Sequence, residues 1–204
     1  MNPLHRRILD ACHMGCLPLL AQCLRLAPEA MHADGDRHPL LIAAGKGYAE
    51  LCLQLIHGGA DPNAIRDRHG RTPLAAAVSS GSERTVLILL CHGASPAVAD
   101  DEGTMPIHVA ALANAARILH QLVRHGSPVD PQDRHGNTPL HVAALARAER
   151  AIHALLEHGA SLSARNRDGL RPCDYLPRGT RLAKILRTPK GLVESVTLPQ
   201  RVPR

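Results

Sequence analysis

The chain has 204 residues, enough for one domain with a sizeable core or one short repeat array with a tail. It has no Phe, no Trp and only Tyr48 and Tyr175, so Leu, Ile, Val and Ala must fill the core, which suits closely packed helices better than a β-sandwich. The net charge of +6 does not mark a nucleic-acid surface: residues 1–177 hold 17 basic and 17 acidic side chains, and the excess lies in residues 178–204, where seven basic residues meet Glu194 alone.

No apolar run approaches the ~18 residues of a membrane span. Cysteines stand at 12, 16, 23, 52, 91 and 173 in a chain that starts without an apolar signal segment. They are expected to be reduced thiols of a cytosolic or nuclear protein.

Along the chain the units repeat. Residues 4–33 keep the later spacing weakly, with Arg7 where a proline will stand and with Ala11, Gly15 and Ala27 in step. Then come His38-Pro39-Leu40-Leu41-Ile42-Ala43-Ala44, Thr72-Pro73-Leu74-Ala75-Ala76-Ala77-Val78, Met105-Pro106-Ile107-His108-Val109-Ala110-Ala111, Thr138-Pro139-Leu140-His141-Val142-Ala143-Ala144 and Arg171-Pro172-Cys173-Asp174-Tyr175-Leu176. Their prolines lie 34, 33, 33 and 33 residues apart, and Gly59, Gly93, Gly126 and Gly159 each follow a proline of the series by 20.

Each unit has a physical plan. Proline in the first turn of a helix forfeits no hydrogen bond and already has helical φ. A short apolar helix follows and ends at Gly47, Gly81, Asn114 or Arg147; a second, amphipathic helix runs to the marker glycine, which supplies a left-handed cap. Asp67-Arg68-His69-Gly70, Asp100-Asp101-Glu102-Gly103, Asp133-Arg134-His135-Gly136 and Asn166-Arg167-Asp168-Gly169 then read as tight turns.

Chemistry is hard to find in this pattern. His92, His125 and His158 precede marker glycines, but equivalent positions of stacked units lie ~8–10 Å apart, too far to share one ion. They are read as helix-end histidines bonded to free carbonyls. Cys12, His13 and Cys16 lack a fourth ligand, and Gly15 breaks their helix. Cys52, Cys91 and Cys173 are read as small core residues. His153, Glu157 and His158 miss zinc-protease spacing, and Gly45-Lys46-Gly47 lacks the rest of a phosphate loop. No enzyme, metal or cofactor is expected.

The Thr-Pro-Leu-His-Val-Ala-Ala of 138–144, the Gly-Ala-Asp or Gly-Ala-Ser after the second helix, and the Asp-x-x-Gly turn resemble the ankyrin repeat over about residues 36–176. The resemblance implies an all-α solenoid of stacked helix-turn-helix units joined by hairpin-like loops. It divides the chain into a repeat domain, 1–188, and a basic, proline-containing, flexible tail, 189–204. The domain comprises a degenerate repeat at 4–33, full repeats over 36–168 and a partial one at 169–188. It also implies that Thr72, Thr138, His108 and His141 tie neighbouring repeats together. Leu41 and Ala75 replace that His, so the first two full repeats are expected to be less tightly stitched.

By the same resemblance the chain is a monomeric adaptor that binds a protein or peptide on its concave face. The contact residues would be Arg66, Arg68, His69, Arg71, Asp101, Glu102, Arg134, His135, Asn137, Arg165 and Arg167, with the three arginines of the first turn foremost. Nucleic acid is disfavoured, because the tail's charges are dispersed and no aromatic stands ready for stacking. The alternative is a substrate-recognition subunit of a cullin-type ubiquitin ligase, since Leu182 and Leu198-Pro199 loosely resemble a suppressor-of-cytokine-signalling box.

Overall fold

The computed structural model describes residues 3–26 and 38–187. Its helices come in pairs: α1 Pro3–Met14 and α2 Leu17–Leu26, α3 Pro39–Gly45 and α4 Ala49–His57, α5 Pro73–Ser80 and α6 Glu83–Cys91, α7 Pro106–Leu112 and α8 Ala116–Arg124, α9 Pro139–Leu145 and α10 Glu149–Glu157. A 3-10 turn, Pro172–Tyr175, and a short α11, Arg181–Ile185, close the array. No strand occurs among the described residues, and the fold is an all-α solenoid. Ala27 of the first unit and the 189–204 tail lie outside the described residues.

The inner helices α3, α5, α7 and α9 have seven or eight residues, well short of the ~12–15 at which a free helix becomes even marginally stable. Burial against neighbours stabilises them. One position after the leading proline, or after Arg7 in its place, Ile8, Leu40, Leu74, Ile107 and Leu140 are all fully buried, and Cys173 continues the row at 1% exposure. Alanines at 43, 77, 110 and 143 are also fully buried, and such small side chains let inner helices pack closely. The outer helices contribute Leu55, Leu89, Leu122 and Leu155, each buried. Contacts run from α3 to α5, α5 to α7 and α7 to α9, and in parallel from α4 to α6, α6 to α8 and α8 to α10.

Proline heads each of these inner helices, and Thr72 caps α5 by accepting from the Ala75 amide at 3.3 Å. The marker glycines 59, 93, 126 and 159 all have positive φ. The loop after the inner helix needs the same conformation. Gly47 and Gly81 adopt it, but in the next two units Asn114 and Arg147 are forced into it, at φ 55° and 52°. Asn114 gains something there, since its Oδ1 accepts the Ala151 amide of α10 at 3.0 Å.

His108 and His141 stitch the later units together. The Nδ1 of His108 accepts the Met105 amide at 3.1 Å and its Nε2–H donates to the Asn137 carbonyl of the next unit at 3.1 Å. His141 repeats this between the Thr138 amide and the Leu170 carbonyl. Leu41 and Ala75 offer no such bond. Asn63 supplies a different link there, with its Nδ2 donating to the Gly93 carbonyl and its Oδ1 accepting the Ser95 amide, both at 2.8 Å. At the far end Leu182 belongs to α11, where Ala183 and Ile185 are buried, as is Leu186 at its C-cap. The stretch that resembles the first ligase-box motif therefore closes the stack; Leu198-Pro199 lie outside the described residues.

Two outcomes are expected. Replacing Arg147 with Gly relieves the left-handed strain and should stabilise the array by about 1 kcal/mol, read from urea melts. For His108, burial lowers the pKa below the ordinary histidine value, outweighing the hydrogen bonds and Asp133 that raise it. Below pH of about 6.5 the unfolded chain binds a proton at this site that the folded chain resists, so stability should fall with acid; above it the term vanishes. Between pH 7.5 and 5.5, His108→Gln should lose stability less steeply than the parent.

Candidate functional site, a face of hairpin tips and inner helices

Each turn is built by its leading Asp or Asn. The Oδ1 of Asp67 accepts the His69 and Arg71 amides at 2.9 Å each; Asp100 accepts Glu102 and Thr104, Asp133 accepts His135 and Asn137, and Asn166 accepts Asp168 and Leu170. The tips then join one another through the main chain. The Asp101 amide donates to the His69 carbonyl (3.1 Å), Arg134 to Glu102 (2.9 Å) and Arg167 to His135 (3.0 Å). Gly103 and Gly136 are required here twice over: both have positive φ, and an added Cβ would lie 3.0 and 2.9 Å from the Arg134 and Arg167 amide nitrogens.

On this scaffold the candidate contact residues take distinct places. Arg66 reaches the Ala99 carbonyl at 3.4 Å, and Arg68 donates through Nε to His69 at 3.2 Å. Arg71 pairs with Asp67 at 2.7 Å. Arg134 bridges to the previous tip, pairing with Glu102 at 2.9 Å and donating to the Asp101 carbonyl. Asn137 is partly buried, and its Oδ1 accepts from Asn166 Nδ2, which also reaches the Tyr175 hydroxyl. Arg165 folds back onto the Gly169 carbonyl. His135 and Arg167 are exposed. The tips thus form one ladder whose acidic second rung is answered by the third.

Between the first tip and the inner helices lies a groove of about 440 Å³, lined by Leu41, Ile42, Gly45, Asp67, Arg68, Arg71, Ala76, Ser79 and Ser80. Periodicity shows which residues share this face but not where small side chains open a depression in it.

The opposite face carries other groups. Glu50 pairs with Arg84, and Glu83 with Arg117 at 3.5 Å, an outer-helix ladder that stops where Ala116 takes the place of the next glutamate. His92 and His125 donate through Nδ1 to the Ile88 and Gln121 carbonyls at 2.8 Å, as expected of helix ends. His158 differs: its Nε2 lies 2.9 Å from His120 Nδ1 of the preceding unit. His57 and His92 also meet, with ring centroids 5.6 Å apart. Histidines therefore approach across repeats, but at offset positions rather than equivalent ones. Among the described residues no group of three His, Cys, Asp or Glu is placed to hold a metal ion.

The cysteines need one correction. Cys52 and Cys173 are buried, but Cys91, expected in the core, is exposed at the end of α6. Its place in the helix lies on the solvent side of the stripe defined by Val86, Leu89 and Leu90. Cys12 and Cys16 are divided by Gly15, at φ 70°, and share no helix. No described helix is long and apolar enough to cross a membrane.

A family model described as ankyrin repeats (3 copies) matches residues 8–100 and 93–166. The chain belongs to the ankyrin-repeat family. Ankyrin repeats mediate protein–protein interaction, and the relatives show how varied their carriers are. The cyclin-dependent kinase 4 inhibitor B of Rattus norvegicus is 41% identical over 69 residues, covering 34% of this chain and 52% of that protein. The 2-5A-dependent ribonuclease of Mus musculus is 44% identical over 61 residues, 30% of this chain and 8% of the ribonuclease. The ADP-ribosylation factor GTPase-activating protein AGD4 of Arabidopsis thaliana is 47% identical over 59 residues, 29% and 8%. The chain spans about half the length of the kinase inhibitors it matches.

Thiol chemistry offers a check on this ankyrin array. Burial pushes the Cys12 and Cys52 thiols up to about 12, so neither is a thiolate near neutrality. Iodoacetamide applied to the native protein at pH 8 should label Cys91 well before Cys12 or Cys52, as read by peptide mass spectrometry.

Proposed function

We propose that the chain is a protein-binding adaptor, cytoplasmic or nuclear and monomeric, whose repeat domain spans 1–188 and grips a protein or peptide along the concave face. The contact set is Arg66, Arg68, His69, Arg71, Asp101, Glu102, Arg134, His135, Asn137, Arg165 and Arg167. The observation that carries this reading is the tip ladder. Main-chain bonds from Asp101, Arg134 and Arg167 hold successive tips in fixed register, so exposed side chains from different repeats present one preorganised row.

The residues divide by role. Arg66, Arg68, His69, His135 and Arg167 are exposed and offer charge or hydrogen bonds to a partner. The Arg134–Glu102 pair sets the row's local charge pattern, and Asn137 positions the last tip through Asn166. An inhibitor, a nuclease and a GTPase activator have this module in common, which supports a binding role and no particular chemistry.

The test is proximity labelling in cells with the full chain and two charge-reversed variants. Arg66→Glu, Arg68→Glu and Arg71→Glu together should remove the leading labelled partners while leaving helicity and melting intact. Arg124→Glu with Arg150→Glu, on the outer helices, should leave labelling unchanged. The opposite pattern would place the interface on the convex side and defeat the reading.

A further inference from the structure

The last turns of the array enclose a depression of about 530 Å³ that shares no residue with the concave contact row. Leu162 and Ser163 of the loop after α10, Arg171 and Asp174 of the 3-10 turn, and Arg178, Leu186 and Arg187 around α11 line it. Arg178 and Arg187 lie beyond the residues that the ankyrin model matches, 8–100 and 93–166, so the repeat pattern does not demand them.

Three guanidinium groups meet one carboxylate there, and that carboxylate is taken. Asp174 Oδ2 accepts the Arg171 amide at 2.9 Å and lies 3.5 Å from the Arg171 Nε, while Oδ1 accepts the Cys173 thiol at 3.6 Å. The Arg171 amide, with smaller help from the Arg171 guanidinium and the Cys173 thiol, outweighs burial and holds this carboxyl below its usual range. Arg178 and Arg187 are exposed, and among the described residues their side chains make no hydrogen bond or ion pair. Their backbones are nonetheless fixed. The Thr180 hydroxyl donates to the Pro177 carbonyl at 2.9 Å and accepts the Ala183 amide at 3.3 Å, and Ala183, Ile185 and Leu186 anchor α11 by burial.

Two cations held at one depression repel unless an anion stands between them. A single carboxylate would neutralise one of them. A phosphate monoester carries nearly two charges and three terminal oxygens, enough to accept from both guanidinium groups and from the Ser163 hydroxyl. The Ser161 hydroxyl, 3.3 Å from that of Ser163, can donate to it and leave the Ser163 proton for a ligand. A bare ion would fill little of this volume, and half-buried Leu162 with buried Leu186 offer apolar contact to whatever stem carries the phosphate.

We propose that this groove binds the phosphoryl group of a phosphorylated side chain on a partner protein, with Arg178 and Arg187 as the charge pair, Ser163 as a further donor and Leu162 and Leu186 against the stem. The identity of the carrier rests on the protein-binding reading above, but the residues are separate from the concave row.

Phenyl phosphate titrated into the full chain at constant ionic strength, and followed by NMR of the arginine Nε–H groups, tests the site. Arg178 and Arg187 should shift together and saturate. Arg178→Gln with Arg187→Gln should weaken binding by about tenfold or more, and Arg124→Gln with Arg150→Gln, on the outer helices, should leave it unchanged. Benzoate, with one charge, should bind about tenfold more weakly than phenyl phosphate, and lowering the pH from 7.5 to 5.5 should weaken the phosphate alone as it takes up its second proton. Shifts spread over many arginines, or a double variant that binds as well as the parent, would overturn the site. Inorganic phosphate bound as tightly as phenyl phosphate would overturn the side-chain occupant. Capture from cell lysate then tests the carrier: phosphatase treatment and the Arg178/Arg187 double variant should remove the same proteins. Proteins lost on changing Arg66, Arg68 and Arg71 to Glu but indifferent to both of those would overturn the phosphorylated partner while leaving the concave interface standing. Captured proteins indifferent to all of these changes would overturn both readings.

Discussion

A helix of seven residues has no stable existence alone, and the inner helices α3, α5, α7 and α9 are that short or one residue longer. What holds it is the neighbour's apolar flank. The row Ile8, Leu40, Leu74, Ile107, Leu140 and Cys173 passes through the whole array without meaningful exposure, so each unit completes the core of the next. Removing one such side chain opens a cavity shared between units rather than inside one, and the cost falls on the interface.

The same stacking aligns the turns. An Asp or Asn at each turn fixes the local shape, and the glycine three residues later lets the next tip's amide come within hydrogen-bonding distance. Where His108 and His141 span from one unit to the next, both ring nitrogens are used. Nδ1 accepts an amide of its own unit and Nε2–H donates to a carbonyl of the following one, which demands the neutral ring. A scaffold held in this way leaves the outward positions free to vary. Here they vary from Gly and Ser beside arginines to Val and Leu.

Most of the fold was legible because its signals are local and periodic. Proline at N1, glycine at the caps and Asp-x-x-Gly at the turns act within a few residues, and their spacing of 33 or 34 marks the units. The candidate site was legible as a row but not as a surface. Arg71 is held by Asp67, Arg134 spans to Glu102, and Asn137 is partly buried against Asn166. The exposed Cys91 and the His120–His158 contact escaped for a related reason: each depends on the rotation of an outer helix against its neighbour.

By itself the amino-acid order determined the repeat length, the helix starts and stops, the buried row and the residues available at each tip, since all of these follow from backbone preference and apolar spacing within one unit. Only the tertiary structure decided which charges neutralise each other, where small side chains open a groove and which leucines stay in water. Those outcomes depend on distances between residues about 33 apart in the chain, and such distances are set by how units settle against one another.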